Sequence, residues 1–103
     1  MESLELMRLE RIARNLITDR LRMEQVEGNH GTIYIAHGLN AERTIVGVWG
    51  HRGIARDMEF KDDTSLDSVR QNLVNDAAEH IEMMVEKDLI DAGNGRATQK
   101  TIQ

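Results

Sequence analysis

Residues 32–60, TIYIAHGLNAERTIVGVWGHRGIARDMEF, decide the fold of this chain of 103 residues. Two runs within this stretch, at 32–36 and 44–49, are rich in β-branched and aromatic residues, which favour strands, and turn residues flank both. A third run at 54–60 places Ile54, Met58 and Phe60 on one face, as in a sheet with its other face in water, although Arg56 interrupts this alternation. The stretch therefore predicts three strands joined by short loops in an antiparallel meander.

An amphipathic helix is predicted before the meander. Its apolar residues recur at helical spacing on one side of a helical wheel, and its arginines lie on the opposite side. The apolar side consists of Leu6, Leu9, Ile12, Ala13, Leu16 and Ile17, and the basic side of Arg8, Arg11 and Arg14. The pattern breaks at Arg20, so this helix is expected to end near Thr18 or Asp19.

A longer helix is predicted after the meander. Thr64 and Asp67 have the spacing of a capping box at its start, and Gly93 is a typical C-terminal stop. Its apolar stripe steps by three and four residues. The stripe consists of Leu66, Val69, Leu73, Ala77, Ile81 and Met84, with Val74 and Val85 beside it. Residues 1–92 are therefore expected to form a single domain, and residues 93–103 a flexible polar tail.

Residues 20–27 leave two alternatives open. They form either a further strand that leads into a turn at 28–31 or an extension of the first helix that ends at Gly28. With either alternative, the order of elements predicts an α+β fold. We expect a two-layer sandwich in which the N-terminal helix and the long C-terminal helix cover one face of a meander of three or four strands. Because this arrangement exposes a sheet face and a strand edge, we also expect a homodimer.

The composition excludes several functional classes. The chain has no cysteine, which excludes disulfides and thiolate sites and fits a cytoplasmic location. Acidic and basic residues interrupt the apolar residues of the N-terminal segment, unlike in a signal peptide or a membrane span. GxSxG, HExxH and glycine-rich phosphate-binding motifs do not occur. We therefore expect neither enzymatic activity nor a metal or other cofactor.

Acidic residues are concentrated towards the C-terminus, where residues 57–92 contain eleven acidic and three basic residues. On the long helix, several carboxylates lie opposite the apolar stripe. The residues expected to bind a partner are Glu79, Glu82, Glu86, Asp76 and Met83. Two interpretations fit this pattern best: a solvated helix face that keeps the protein in solution, or a surface that docks on a protein with a basic surface. A third, a site for a divalent cation, is disfavoured because the glycine-turned loop of a calcium-binding hand is absent.

The leading functional hypothesis is a non-catalytic, small acidic interaction module. By analogy at the level of protein class, it would be an inhibitor or adaptor of the phage or mobile-element type that binds a host macromolecule through the acidic helix face. The first alternative is a nucleic-acid-associated regulator with a cationic β-hairpin. The hairpin residues concerned are Arg43, His51, Arg52 and Arg56. A net charge of −5 and only three aromatic residues disfavour nucleic acid as the partner. The second alternative is a small-ligand domain or enzyme on an open sheet face near His37 and Tyr34.

Overall fold

A computed structural model describes residues 4–60 and 65–87 of the chain. The elements in chain order are α1 (Leu4–Leu16), β1 (Asp19–Gly28), β2 (Gly31–Leu39), β3 (Ile45–His51), β4 (Ile54–Phe60) and α2 (Leu66–Glu86). The fold is α+β, as predicted from the sequence, and residues 20–27 belong to a strand. The predicted tail at 93–103 lies outside the described residues. Of the two described helices, neither has the length and apolar character of a membrane-spanning segment.

The four strands form one antiparallel sheet in the order β1-β2-β3-β4. The two central strands are buried on both faces, whereas most residues of the edge strands β1 and β4 are partly buried or exposed. In β2, Ile33 and Ile35 face one side of the sheet, and Tyr34 and Ala36 face the other. All four are buried, so both faces of the sheet must be covered.

The two helices cover opposite faces of the sheet. The α1 side of the core contains Leu9, Ala13, Ile17, Tyr34, Ala36, Val46 and Val48. The α2 side contains Val69, Leu73, Ala77, Ile81, Ile33, Ile35, Trp49 and Phe60. The architecture is therefore helix, sheet, helix, and this corrects the two-layer sandwich predicted from the sequence. The physical reason is that the apolar runs of β2 and β3 do not alternate, so an uncovered face would expose apolar residues to water.

The ends of α2 differ from those predicted. Its N-cap is Ser65 rather than Thr64, because the extended backbone of Ser65 lets its hydroxyl accept the N–H of Ser68 at 3.1 Å. The helix ends at Glu86, before the predicted stop at Gly93, which lies outside the described residues.

A β-bulge in β1 decides which of its side chains face α2. Between its pairs with β2 at Asp19 and at Arg22, β1 has one residue more than β2. Arg20 lies in this bulge with a φ of 58°, in the left-handed region that favours glycine. The extra residue shifts the alternation by one position. As a result, Arg22, Glu24 and Val26 lie on the face that α2 covers.

The bulge predicts opposite effects of two glycine substitutions in β1. Arg20→Gly is expected to raise the free energy of unfolding by about 1 kcal/mol, because glycine adopts a left-handed conformation without a steric penalty. Gln25, in the same strand, has a negative φ, so Gln25→Gly is expected to lower it by roughly 0.5–1 kcal/mol. Urea denaturation of both variants measures these changes, and an equal loss of stability in the two would contradict a strained bulge.

Candidate functional site

The outer face of the C-terminal half of α2 is acidic. Glu79, Glu82 and Glu86 are exposed and lie along one side of the helix at spacings of three and four residues. Met83 lies among them and is 40% exposed. We call these four residues the acidic patch. After Arg70, α2 contains no lysine or arginine up to its last residue, Glu86, and the next basic residue is its C-cap, Lys87.

Asp76, which the sequence places beside these residues, instead contacts the sheet. Its Oδ2 accepts the indole N–H of Trp49 at 2.7 Å and lies 3.0 Å from Nε of Arg56. The Trp49 side chain is fully buried, so this carboxylate satisfies a buried donor. His80 packs edge-on against the same indole, with 5.6 Å between ring centroids. Asp76 is thus bound within the fold and is not part of the acidic patch.

The contact between Asp76 and Trp49 predicts a stability difference between two neighbouring acidic residues. Asp76→Ala is expected to lower the free energy of unfolding by about 2 kcal/mol, because it leaves the indole N–H buried without an acceptor. Glu79→Ala, one helical turn further along, removes an exposed carboxylate and is expected to change it by less than about 0.5 kcal/mol. Urea denaturation followed by tryptophan fluorescence measures both changes. Similar values for the two variants would show that the hydrogen bond does not stabilise the fold.

Glu82 connects the acidic patch to the turn between β1 and β2. Its Oε2 lies 2.9 Å from Nε2 of His30, and its side chain remains 52% exposed. The carboxylate is therefore shared between this contact and the surface. Glu79 and Glu86 are the better positions at which to change the charge of the patch without disturbing the turn.

The four residues of the predicted cationic hairpin do not form a cluster. Arg43 lies in the loop between β2 and β3, where its Nη1 is 2.8 Å from Oδ2 of Asp19. Arg52 lies in the turn between β3 and β4, at the other end of β3 and roughly 20 Å away at strand spacing. Arg56 is bonded to α2 as described above, and His51 is only 1% exposed. This arrangement does not favour the nucleic-acid alternative.

His51 is a buried histidine that is bonded to the backbone of β2. Its Nδ1 lies 2.9 Å from the carbonyl oxygen of Thr32, and because a carbonyl can only accept, Nδ1 carries the proton. Nε2 is buried and has no partner among the described residues. Burial lowers the pKa of His51, and the hydrogen bond to Thr32 opposes this effect. Protonation of the ring would therefore place a second N–H in the interior without an acceptor.

A cleft of about 300 Å³ opens between β1, β2 and the N-terminal half of α2. Its polar lining consists of Arg22, Glu24, His37, Asp67 and Arg70. His37 is 7% exposed, and its Nδ1 has no hydrogen-bond partner among the described residues. Burial is the largest cause that lowers the pKa of His37, and the charges of Arg22 and Arg70 lower it further, against the opposing effect of Glu24. Tyr34 lies on the other face of the sheet, so the structure does not bring it together with His37.

The two buried histidines predict a loss of stability in mild acid. Their pKa values in the folded chain lie below the ordinary value of about 6.5, so the unfolded chain binds more protons as the pH falls. The free energy of unfolding is therefore expected to be highest above about pH 6.5 and to decrease as the pH falls through the folded-state pKa values of His37 and His51. His51→Asn should weaken this dependence in urea denaturation series between about pH 7.5 and 5.5. An unchanged slope would contradict the role given to His51.

The two arginines of the cleft are not evident from the sequence pattern. The face on which Arg22 lies depends on the bulge in β1, because the extra residue shifts the alternation of the strand by one position. Arg70 follows Val69 of the apolar stripe, where an arginine is unremarkable on a helical wheel. The sequence signal for this site was His37. It is a polar residue that directly follows the apolar run at 32–36 and shares a face of β2 with the buried Ile33 and Ile35.

Comparisons of the chain with protein-family models, curated proteins and solved structures found no match. Within residues 4–60 and 65–87, no group of three histidine, aspartate or glutamate side chains lies close enough to hold a metal ion. Function is therefore inferred from the acidic patch and the cleft.

Proposed function

We propose that this chain is a small, non-catalytic protein-binding module, an inhibitor or adaptor, that docks through the acidic patch on a basic surface of another protein. The observation that carries the proposal is the exposure of three carboxylates around Met83 on one side of α2. Carboxylates in such a row attract and orient a basic partner. An exposed methionine among them adds an adaptable apolar contact.

The acidic patch is unfavourable for the helix that carries it, which supports a role in binding. Glu79 and Glu82 are three residues apart, and Glu82 and Glu86 are four apart, spacings at which like charges destabilise a helix by roughly 0.2–0.5 kcal/mol per pair. Glu86 also lies in the last turn, where the negative end of the helix dipole repels a carboxylate. That turn contains no basic residue. Helix stability therefore does not account for these charges.

A pair of charge-reversal variants tests the proposal. Glu79→Lys/Glu86→Lys changes the patch and leaves the contact between Glu82 and His30 in place. Asp57→Lys/Glu59→Lys changes the net charge by the same amount at exposed positions on β4. Each variant and the unaltered chain are immobilised on a resin and incubated with nuclease-treated lysate of the native source. The retained proteins are then quantified by mass spectrometry. We expect the patch variant alone to lose one protein by roughly tenfold or more, since charge pairs at interfaces contribute strongly to binding.

Two outcomes contradict the proposal. Equal retention of the same protein by all three forms would place the interface outside the acidic patch. Loss of the protein from both variants would mean that net charge, rather than the patch, determines binding. Melting temperatures of the three forms show whether a loss reflects unfolding.

The predicted homodimer and the cytoplasmic location remain predictions. Helices cover both faces of the central strands, so an open sheet face no longer motivates a dimer. Within the described residues, the outer edges of β1 and β4 lack a neighbouring strand. A second copy could pair with either edge, which keeps the dimer as part of the proposal.

A further inference from the structure

We infer that the cleft between β1, β2 and α2 binds a small organic monocarboxylate, held by Arg22 and Arg70 beside the buried ring of His37. This site is independent of the acidic patch. Arg70 lies near the N-terminal end of α2, and the centre of the patch at Glu82 is roughly 18 Å further along the helix. The cleft has a volume of about 300 Å³, at the lower limit of small-molecule sites, so a hydroxy acid or a small keto acid fits within it.

Arg22 supplies the first positive charge. The bulge of β1 turns it towards α2 and places it directly opposite His37 in the register of β1 and β2. Side chains in such a pair have Cβ atoms about 5 Å apart. Among the described residues, Arg22 has no ion-pair partner, so its guanidinium can offer two parallel N–H groups to a planar carboxylate.

Arg70 supplies the second positive charge in a fixed orientation. Its Nε lies 2.8 Å from Oε2 of Glu24, which joins α2 to β1 across the cleft. This bond uses the Nε edge of the guanidinium, and the terminal Nη groups remain for a ligand. Because Glu24 already holds the side chain, little conformational freedom is lost when a ligand binds.

His37 supplies an unsatisfied polar group next to the two arginines. The ring is 7% exposed, and Nδ1 is buried without a partner among the described residues. Buried polar atoms in proteins are almost always hydrogen-bonded, so the unsatisfied Nδ1 marks His37 as a ring with incomplete hydrogen bonding. Nδ1 itself is inaccessible, and a ligand in the cleft would meet the part of the ring that lines it. The neutral ring has one donor and one acceptor, which suits a ligand that carries a hydroxyl or carbonyl group beside its carboxylate.

The acidic residues of the cleft favour a single negative charge. Asp67 lies one helical turn before Arg70, and Glu24 faces the same space from β1. Glu24 is already paired with Arg70, so the charge of Arg22 is the one that a ligand carboxylate would neutralise. A monocarboxylate can bind between the arginines and away from Asp67, whereas the second negative charge of a dicarboxylate, or of phosphate in its dianionic form, would be repelled. The cleft is therefore expected to prefer monocarboxylates.

Titration of the full chain with lactate, pyruvate, succinate and inorganic phosphate tests this inference. The readout is the position of the His37 ring signals in ¹H–¹³C NMR spectra. We expect lactate or pyruvate to shift these signals saturably, with a Kd in about the millimolar range typical of so small a ligand. Arg22→Gln should weaken binding by roughly tenfold or more, because it removes a charge-assisted hydrogen bond. The matched control Arg14→Gln, which removes the exposed ion pair with Glu10 on α1, should leave binding unchanged.

The pH dependence of binding gives a second readout that a purely structural histidine would not affect. Charged groups face the His37 ring from β1, with Arg22 and Glu24, and from α2, with Asp67 and Arg70. A bound carboxylate stabilises the protonated, positively charged form of the His37 ring. By linkage, protonation of this ring strengthens the binding of lactate, so the affinity should increase as the pH falls from about 7.5 to about 6. His37→Gln should still bind lactate but lose this increase.

Three results would overturn the inference. One is the absence of any shift in the His37 signals with lactate or pyruvate at concentrations well above the expected Kd. Another is equal weakening by Arg22→Gln and Arg14→Gln, which would place binding elsewhere. Tighter binding of phosphate or succinate than of lactate would show that the site does not select a monocarboxylate. None of these results bears on the acidic patch, so this inference and the proposed function can fail separately.

Discussion

The burial of both faces of β2 and β3 is the constraint on which the rest of the structure depends. Ile35, Val48 and Trp49 are fully buried in these strands and divide between the two faces of the sheet. One helix can cover only one face, so α1 and α2 lie on opposite sides. Gly47 allows α2 to approach β3 closely, because a Cβ at this position would lie 2.7 Å from Cδ1 of Leu73.

Two polar contacts fix the position of α2 once its apolar stripe is buried. Asp76 accepts the hydrogen bond of the buried Trp49 indole at 2.7 Å, and Arg70 bonds to Glu24 at 2.8 Å near the start of the helix. The same helix therefore contributes to three parts of the molecule. Its inner face completes the core, its N-terminal half forms one wall of the cleft, and the outer face of its C-terminal half carries the acidic patch.

Most helices and strands could be predicted from the sequence because the spacing of their apolar residues indicates which side is buried. The helical spacing of Leu9, Ala13 and Ile17 identified the buried side of the first helix, and the apolar stripe identified that of α2. Residues 20–27 could not be assigned because the bulge at Arg20 interrupts the alternation that identifies a strand. The missing alternation in β2 and β3 also indicated two-sided burial, a signal that the two-layer prediction did not use.

The sequence by itself determined the α+β class, the order of the elements, the meander and the charge of the outer face of α2, because these follow from local periodicity and composition. Tertiary structure alone decided which face each helix covers, which way Arg22 points and which acidic residues remain at the surface. Asp76 is bound to a tryptophan 27 positions away and Arg70 to a glutamate 46 positions away, so neither partner lies within a helical turn or a hairpin. Such contacts depend on packing between distant segments, which no local pattern encodes.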